Sequence, residues 1–251
     1  MFELFIPFFL LFLLILILAI IWRSNARKYI SSGTVASAYD AWTQDKLLER
    51  LWGEHIHLGF YPSGNKNIDF RKAKVQFVHE LVRWSDLDKL PKGSRILDVG
   101  CGIGGSSRIL AKYYGFNVTG ITISPAQVKR ARELTPSGLN CNFQVMDALN
   151  LEFDDGVFDA VWSVEAGAHM NDKTRFADEM LRTLRPGGYL ALADWNSRDL
   201  NAYPPSFIER LVLKQLLEQW VHPNFISINE FGDILKTNKN SAGRVISENW
   251  N

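Results

Sequence analysis

The sequence of 251 residues predicts an α/β fold with a parallel central sheet and helices on both faces. The stretch Arg95–Gly105, RILDVGCGIGG, reads as a short buried strand that ends in glycines and opens a helix. After it, short apolar runs alternate with helical patterns, which is typical of βαβ units and a parallel sheet. Hydrophobic residues make up 47% of the chain, enough to form the core of such a sheet.

The N-terminal stretch is the most apolar part of the chain. Residues Leu4 to Trp22 carry no charge, and as a helix they are long enough to cross a hydrocarbon core of ~30 Å. We therefore expect a transmembrane anchor over residues 1–22. Arg23, Arg27 and Lys28 follow it, and the positive-inside rule places the rest of the chain on the cytoplasmic or stromal face. A secretory signal peptide would begin with positive charges, but here Glu3 stands in that place.

Residues 23–91 are predicted to form a helical N-terminal extension with a lid-like segment. A helix is expected over Val35–Trp52, ending at Gly53, and another over Asp69–Trp84. Between them, residues 52–61 (WGEHIHLGFY) are dense in aromatic and titratable side chains without a clean period. Such a segment is usually a lid or a packing loop.

The remaining part, residues 92–251, is predicted to form the sheet domain. Further strands are expected at Asn117–Ile123, Asn142–Met146, Val157–Val164 and Tyr189–Trp195, with a candidate sixth at Arg244–Ser247. Helices are expected from about Ile103, from Ser124 through Leu134, over Lys173–Leu184 and over the amphipathic run Phe207–Trp220.

Local signals define the ends of two of these helices. Ser124, Pro125 and Gln127 supply an N-cap, a first-turn proline and a capping-box partner. Residues 185–188, RPGG, are expected to close the helix that precedes the fifth strand.

Composition narrows the classes of partner. The chain has 28 Lys and Arg against 27 Asp and Glu, so its net charge is +1. The absence of a basic block argues against nucleic acid as a main partner. The two cysteines, Cys101 and Cys141, are too few for a disulfide framework and suggest a reducing compartment. We predict that Cys101 fills a tight turn, and we predict no metal site.

The turn after the first strand is the predicted cofactor site. Gly100, Gly102 and Gly105 let the backbone pass close to a ligand, and the helix that follows offers amides to an anion. The glycines also fit the dinucleotide pattern G-x-G-x-x-G, so a nicotinamide cofactor stays an alternative, as does a turn that serves packing alone. Asp98 favours S-adenosylmethionine, because this cofactor has an amine for Asp98 and a carboxylate for the loop amides.

Other cofactor contacts are expected just after the strands, where ligands bind in open parallel sheets. Thr122 lies at the end of the second strand, where a side chain is expected to bind the ribose hydroxyls. Asp147 follows the third strand and is placed to accept a hydrogen bond from an adenine amino group. The predicted cofactor contacts are Asp98, Gly100, Cys101, Gly102, Gly104, Thr122, Asp147, Ala148 and Ser163.

The loop after the fourth strand, residues 163–170 (SVEAGAHM), is expected to carry the chemistry. His169 is the preferred general base, because histidine titrates near neutral pH, and Glu165 is expected to orient it or to contact the cofactor. Alternatively, His169 caps the following helix. His55 and His57 of the lid segment are rival bases, of which His57 is counted among the candidate catalytic residues.

With these motifs in place, the chain resembles the class I S-adenosylmethionine-dependent methyltransferases, which have a Rossmann-like sheet, through ILDVGCGIGG, Asp147-Ala148 and LRPGG. More narrowly, WGEHIHLGFY, GITISPAQVKRA, WSVEAGAHM and ADWNSRD resemble the tocopherol and sterol methyltransferase group. Members of that group continue for several tens of residues past the position of Asn251. The resemblance therefore implies that the last strands are missing from this chain.

The resemblance implies methyl transfer to a ring carbon of a prenylated quinol that is dissolved in a membrane. It also implies that this membrane is the thylakoid or plasma membrane of a cyanobacterium. The anchor at residues 4–22 would hold the enzyme in the same bilayer as its acceptor. A chromanol methyltransferase is the rival within the enzyme class. An inactive, membrane-tethered module that binds the cofactor and a nicotinamide oxidoreductase are further alternatives.

Overall fold

The computed structural model describes residues 2–24, 28–62, 67–241 and 243–250. The helices in these ranges are α1 (Phe2–Ser24), α2 (Ser32–Gln44), α3 (Leu47–Trp52), α4 (Phe70–Trp84), α5 (Gly105–Tyr114), α6 (Pro125–Leu134), α7 (Lys173–Thr183), α8 (Phe207–Trp220) and α9 (Ile228–Thr237). The strands are β1 (Arg95–Val99), β2 (Asn117–Thr122), β3 (Cys141–Val145), β4 (Phe158–Val164) and β5 (Leu184–Ala193).

The strands form one parallel sheet in the order β3-β2-β1-β4-β5, which confirms the predicted α/β class. In this register Asp98 of β1 lies beside Gly120 of β2 and Trp162 of β4. The chain passes from β1 outward to β2 and β3 and then returns to the other side of β1 with β4. The strand order therefore reverses at β1, and the crevice beyond its carboxyl end is where ligands bind in such sheets.

Successive side chains of β1 point to opposite faces of the sheet, so both faces are apolar, and helices cover both of them. Ile96 packs in a cluster with residues of α4 and α5, such as Val78 and Leu110. Leu97 packs on the other face, in a cluster that includes Met180 of α7 and Phe231 of α9. The sheet thus lies between two apolar layers.

Two helices begin at side-chain caps. The Asp69 carboxylate accepts from the backbone amides of Arg71 and Lys72 at the start of α4. Ser124 caps α6 as predicted, and Pro125 is in its first turn. The predicted capping box is only half formed, because the Gln127 side chain accepts a hydrogen bond from Thr122 instead.

Three predictions about the elements are wrong. The single helix over Val35–Trp52 is broken between α2 and α3, where Lys46 has a φ of 55°. The segment Arg185–Gly188 belongs to β5, whose pairing with β4 shifts register between Phe158 and Ala160, and it does not form a terminating turn. Arg244–Ser247 forms neither strand nor helix, whereas α9 was not predicted.

The apolar N-terminal stretch is helical, as α1. Within the described ranges, no helix is both long enough and apolar enough to cross a bilayer. The structure therefore gives no support to the predicted transmembrane anchor at residues 4–22. The side chains of residues 4–6 and 21–22 lie outside the described part.

Candidate active site

A cavity of about 270 Å³ opens at the carboxyl edge of the sheet, at the reversal in strand order. Its floor is the loop between β1 and α5, and its cover comes from α2, α8 and the lid segment, residues 52–61. The predicted site residues that line it are Asp98, Gly100, Cys101, Gly102, Thr122, Asp147, Ala148, Glu165, His169, His55 and His57. The fold thus brings together side chains from distant parts of the sequence.

The glycine loop is shaped by positive φ angles. At Gly100, with a φ of 77°, an added Cβ would lie 2.2 Å from Cβ of Ala166, so the loop is in close contact with the segment after β4. At Gly102, with a φ of 55°, the nearest atom to an added Cβ is the Gln127 amide nitrogen at 4.0 Å. Gly100 therefore serves close packing, and Gly102 leaves open space beside the cavity for a ligand.

Two predicted cofactor contacts lie outside this cavity. The Ser163 hydroxyl donates to the carbonyl of Val99 at 2.9 Å, which ties β4 to β1. Gly104 has a φ of 81°, and a Cβ there would overlap the Phe143 ring at 2.6 Å. Both residues have a packing explanation, because their neighbours are protein atoms.

Asp98 is the buried acid of the site. Its side chain is 2% exposed, and it accepts from the Ser107 hydroxyl at 2.5 Å. Burial raises the pKa of Asp98 to about 7. A buried carboxyl group with one neutral donor has room for a cationic partner, so Asp98 fits the amino group of S-adenosylmethionine. Burial also raises the pKa of Cys101, so its thiol stays protonated, which fits its predicted role in the turn.

Thr122 and Asp147 lie at the ends of β2 and β3, as expected. The Thr122 hydroxyl donates to the Gln127 side chain at 2.6 Å and accepts from the Ser124 amide at 3.3 Å, so it offers a ligand only its remaining lone pair. One carboxylate oxygen of Asp147 accepts from the amide of Leu149 at 2.9 Å. This bond fixes Asp147, and the other oxygen can accept from a ligand. The positions fit ribose and adenine, although Thr122 would hold a ribose more weakly than a carboxylate would.

His169 is held by two hydrogen bonds in the roof of the cavity. Because a carbonyl only accepts, Nδ1 carries the hydrogen and donates to the carbonyl of Val221 at 3.3 Å. Nε2 then accepts from the Tyr39 hydroxyl at 2.9 Å. Burial lowers the pKa of His169 to about 3, and the stacked ring of His222 at 4.1 Å adds to this effect. Asp172, not His169, caps α7, so the capping alternative is wrong.

His55 and His57 form a second bonded pair in the lid segment. Nδ1 of His57 donates to the carbonyl of Leu58 at 2.7 Å, so its Nε2 accepts from Nδ1 of His55 at 3.1 Å. The remaining Nε2 of His55 then carries a lone pair. Burial lowers the pKa of His55 to about 3 and that of His57 to about 4. In this pair His57 positions His55, and only His55 has a nitrogen left to accept a proton.

Glu165 joins the lid segment to the loop after β4. Its carboxylate accepts from the backbone amide of Leu58 at 2.9 Å. Its φ of 52° is unusual for a residue with a side chain, and Glu165 lines the cavity. Burial raises the pKa of Glu165 above its usual value, which makes its carboxylate a stronger base.

Tyr39 and Lys74 were missed by sequence reasoning. The Lys74 ammonium donates to the carbonyls of Trp52 at 3.1 Å and His55 at 2.7 Å, and burial lowers its pKa to about 8. Tyr39 lies on the same helical stripe as Val35 and Ala38, so its inward direction could have been predicted. Its partner His169 lies far along the sequence and could not have been predicted.

In the described part of the chain, no cluster of His, Cys, Asp or Glu is arranged to hold a metal ion.

Comparisons with known proteins agree with this geometry. Residues 97–192 match the family model described as a methyltransferase domain. The chain is 54% identical, over 98% of its length and 77% of the relative's, to 2-methyl-6-phytyl-1,4-hydroquinone methyltransferase of Synechocystis. It is 36% identical to the chloroplastic tocopherol O-methyltransferase of Arabidopsis thaliana, over 76% of this chain and 58% of that protein.

A solved structure shares the fold. The geranyl diphosphate C-methyltransferase of Streptomyces coelicolor superposes with a TM-score of 0.65 at 21% identity, covering 83% of this chain and 79% of that one. That structure contains S-adenosyl-L-homocysteine. At this identity the likeness concerns the fold alone.

Proposed function

The chain belongs to the methyltransferase family that includes the Synechocystis hydroquinone methyltransferase, and from this premise we propose that it uses S-adenosylmethionine to methylate a ring carbon of a prenylated benzoquinol. The expected acceptors are 2-methyl-6-phytyl- and 2-methyl-6-solanesyl-1,4-benzoquinol, on the routes to tocopherol and plastoquinone. The observation that carries the proposal is 54% identity over 98% of the chain.

The glycine loop, Asp98, Thr122 and Asp147 would hold the cofactor, whose sulfonium supplies an electrophilic methyl group when bound. Asp98 would face its amino group, and the open space at Gly102 would admit its carboxylate close to the loop amides. The buried, partly unpaired Asp98 carboxyl is the observation that favours this cofactor over a nicotinamide.

The protein's part in the reaction is to align the acceptor and to take a proton from its hydroxyl group, which makes the ring carbon a better nucleophile. When that carbon has gained the methyl group, its own hydrogen would leave as a proton so that the ring regains aromaticity, and the hydroxyl group would recover the proton that it gave up. We infer a path through Tyr39, whose oxygen would accept that proton as its own proton passes to Nε2 of His169. On this path His169 still receives a proton, as predicted, but it receives that proton from Tyr39 and not directly from the acceptor. Glu165 is the rival acceptor, because burial raises its pKa, whereas burial lowers the pKa of His169 to about 3.

We also propose that α1 attaches the protein to a membrane with the sheet domain on the cytoplasmic or stromal side. The described side chains of α1, residues 7–20, are almost all apolar and exposed to solvent, and a lipid phase would bury them. Washing membranes with alkaline carbonate tests this attachment. Release of the protein by that wash would contradict insertion of α1.

An assay with labelled S-adenosylmethionine and two acceptors tests the activity. The phytyl benzoquinol should be methylated, and nuclear magnetic resonance of the product should place the new methyl group on a ring carbon. Faster methylation of a chromanol would favour the second candidate, to which the 36% identity to a tocopherol O-methyltransferase points. Cofactor binding by calorimetry with no turnover on either acceptor would favour an inactive binding module.

A further inference from the structure

The outward face of α8 is apolar and has no cover within the described part of the protein. α8 begins with a capping box between Ser206 and Glu209, so it is a well-formed helix, yet none of its side chains is buried. Ile208 is 71% exposed and Val212 63%, and Phe207 and Leu211 beside them are also exposed. Clustered exposed apolar side chains on a soluble surface usually mark a contact with another apolar phase.

One row of α8 leads from this face to the cavity. Ile208, Val212, Leu216 and Trp220 follow one another at intervals of four residues, so they lie along one side of the helix. The first two are exposed, whereas Leu216 and Trp220 line the cavity. The row therefore extends from the exposed outer face to the lining of the cavity.

Cationic side chains flank the same face. Arg210 and Lys214 of α8, together with Lys28, line a groove beside the helix. Glu218 also lines this groove and lies 4.0 Å from Lys214, so positive charge exceeds negative charge there. A helix with an apolar face and basic side chains along its flank is suited to the surface of a membrane that contains anionic lipid.

We propose that α8 docks on an anionic bilayer, with Ile208 and Val212 among the acyl chains and with Arg210 and Lys214 at the headgroups. The acceptor's prenyl tail then leaves the bilayer along the row that ends at Trp220. The lipid contact stands on the surface of α8 alone, whereas the path of the tail rests on the proposed function.

The lipid contact is tested with an environment-sensitive fluorophore on an Ile208→Cys variant of the full chain. The matched control is Tyr113→Cys on α5, which is also an exposed helical position. The parent protein supplies the background from Cys101 and Cys141. With vesicles of phosphatidylcholine and phosphatidylglycerol, emission should shift to shorter wavelength at 208 but not at 113. An unchanged emission at 208, or equal shifts at both positions, would overturn the proposal.

The path of the tail is tested by kinetics of an Ile208→Ser/Val212→Ser double variant. Its KM should rise about tenfold for the phytyl benzoquinol in vesicles, because two apolar contacts with lipid are lost. Its rate on a short-tailed, water-soluble quinol should match the parent. Equal losses on both acceptors would mean that the row serves the fold, and the path would be wrong.

Two further outcomes separate the alternatives. If the parent sediments as a dimer and the double variant as a monomer, α8 binds a second copy of the chain and the lipid proposal fails. If the parent methylates neither quinol, the proposed function fails, while the fluorescence shift at position 208 still decides the lipid contact.

Discussion

The Tyr39 hydroxyl lies 2.9 Å from Nε2 of His169, and this bond connects the N-terminal extension to the loop that follows β4. Since Nδ1 of His169 is bonded to Val221, Tyr39 stands between the imidazole and any ligand that approaches Nε2. On the proposed path, a proton from the acceptor would therefore reach His169 through Tyr39.

Tyr39→Phe should lower kcat by about 10²- to 10⁴-fold, the range for loss of a general acid–base group. If both residues act on one path, Tyr39→Phe/His169→Gln should lose little more than either single variant. Steady-state kinetics give this comparison, and thermal unfolding shows whether each variant is folded. A fully active, folded Tyr39→Phe variant would exclude the path.

Glu165→Gln is the corresponding test of the rival base. The amide can still accept from the Leu58 amide but takes up protons far less readily than a carboxylate. If the Tyr39 path operates, this variant should keep kcat within about tenfold of the parent, below the usual contribution of a general base. A loss as large as that of Tyr39→Phe would instead assign proton transfer to Glu165.

Gly100→Ala should destabilise the protein more than Gly138→Ala. Both glycines have positive φ, 77° and 85°, so each alanine costs about 1–2 kcal/mol for its backbone conformation. Only at Gly100 does the new Cβ overlap a neighbour, Cβ of Ala166 at 2.2 Å, whereas at Gly138 no atom lies within 4 Å. Urea unfolding of the two variants compares the costs. Equal midpoints would show that the overlap at Gly100 is relieved without cost.

Binding of S-adenosylmethionine should release a proton near neutral pH. In the free protein, burial raises the pKa of Asp98 to about 7, and a cationic amino group beside it would lower that pKa again. Affinity should therefore rise with pH until Asp98 is ionised in the free protein as well. Calorimetry in two buffers with different ionisation enthalpies measures the proton, and Asp98→Asn should abolish it. Equal heats in both buffers would place the amino group elsewhere.

His57 should make the parent less stable in acid. The pKa of His57 is lowered from 6.5 to about 4 by burial, so between these values the unfolded chain binds a proton that the folded chain does not. The free energy of unfolding therefore falls as pH decreases from 6.5 to 4, by at most about 1.4 kcal/mol per pH unit. In His57→Phe this contribution is absent, so its urea-unfolding free energy should fall less steeply over that range. Parallel curves for parent and variant would contradict the assignment.

The sheet and its floor could be predicted because they depend on local signals. The apolar run Ile96–Val99 is followed by glycines, which indicate a tight turn after a buried strand. Ser124 and Pro125 likewise indicate the start of α6. Asp98 and Asp147 follow from their positions at strand ends, where the topology of a parallel sheet brings them together.

The cover of the cavity could not be predicted, because its contacts join distant parts of the chain. Nothing near Lys46 signals the positive φ that separates α2 from α3 and lets α2 reach the site. His169 was identified, but its partners Tyr39 and Val221 are set by tertiary packing. Those partners alter its chemistry from a free base to a bonded, neutral ring.

The ion pair between Arg108 and Glu54 fixes the lid segment to the helix behind the glycine loop. Its atoms are 2.7 Å apart, the Arg108 side chain is 10% exposed, and Arg108 also donates to the carbonyl of Ile103. Any opening of the lid segment must separate these charges, and it must also break the bonds of Glu165 to the Leu58 amide and of Lys74 to the carbonyl of His55. A solute that enters only when these contacts open together binds more weakly in proportion to how rarely they do so, and loss of the ion pair alone would leave the other two contacts in place.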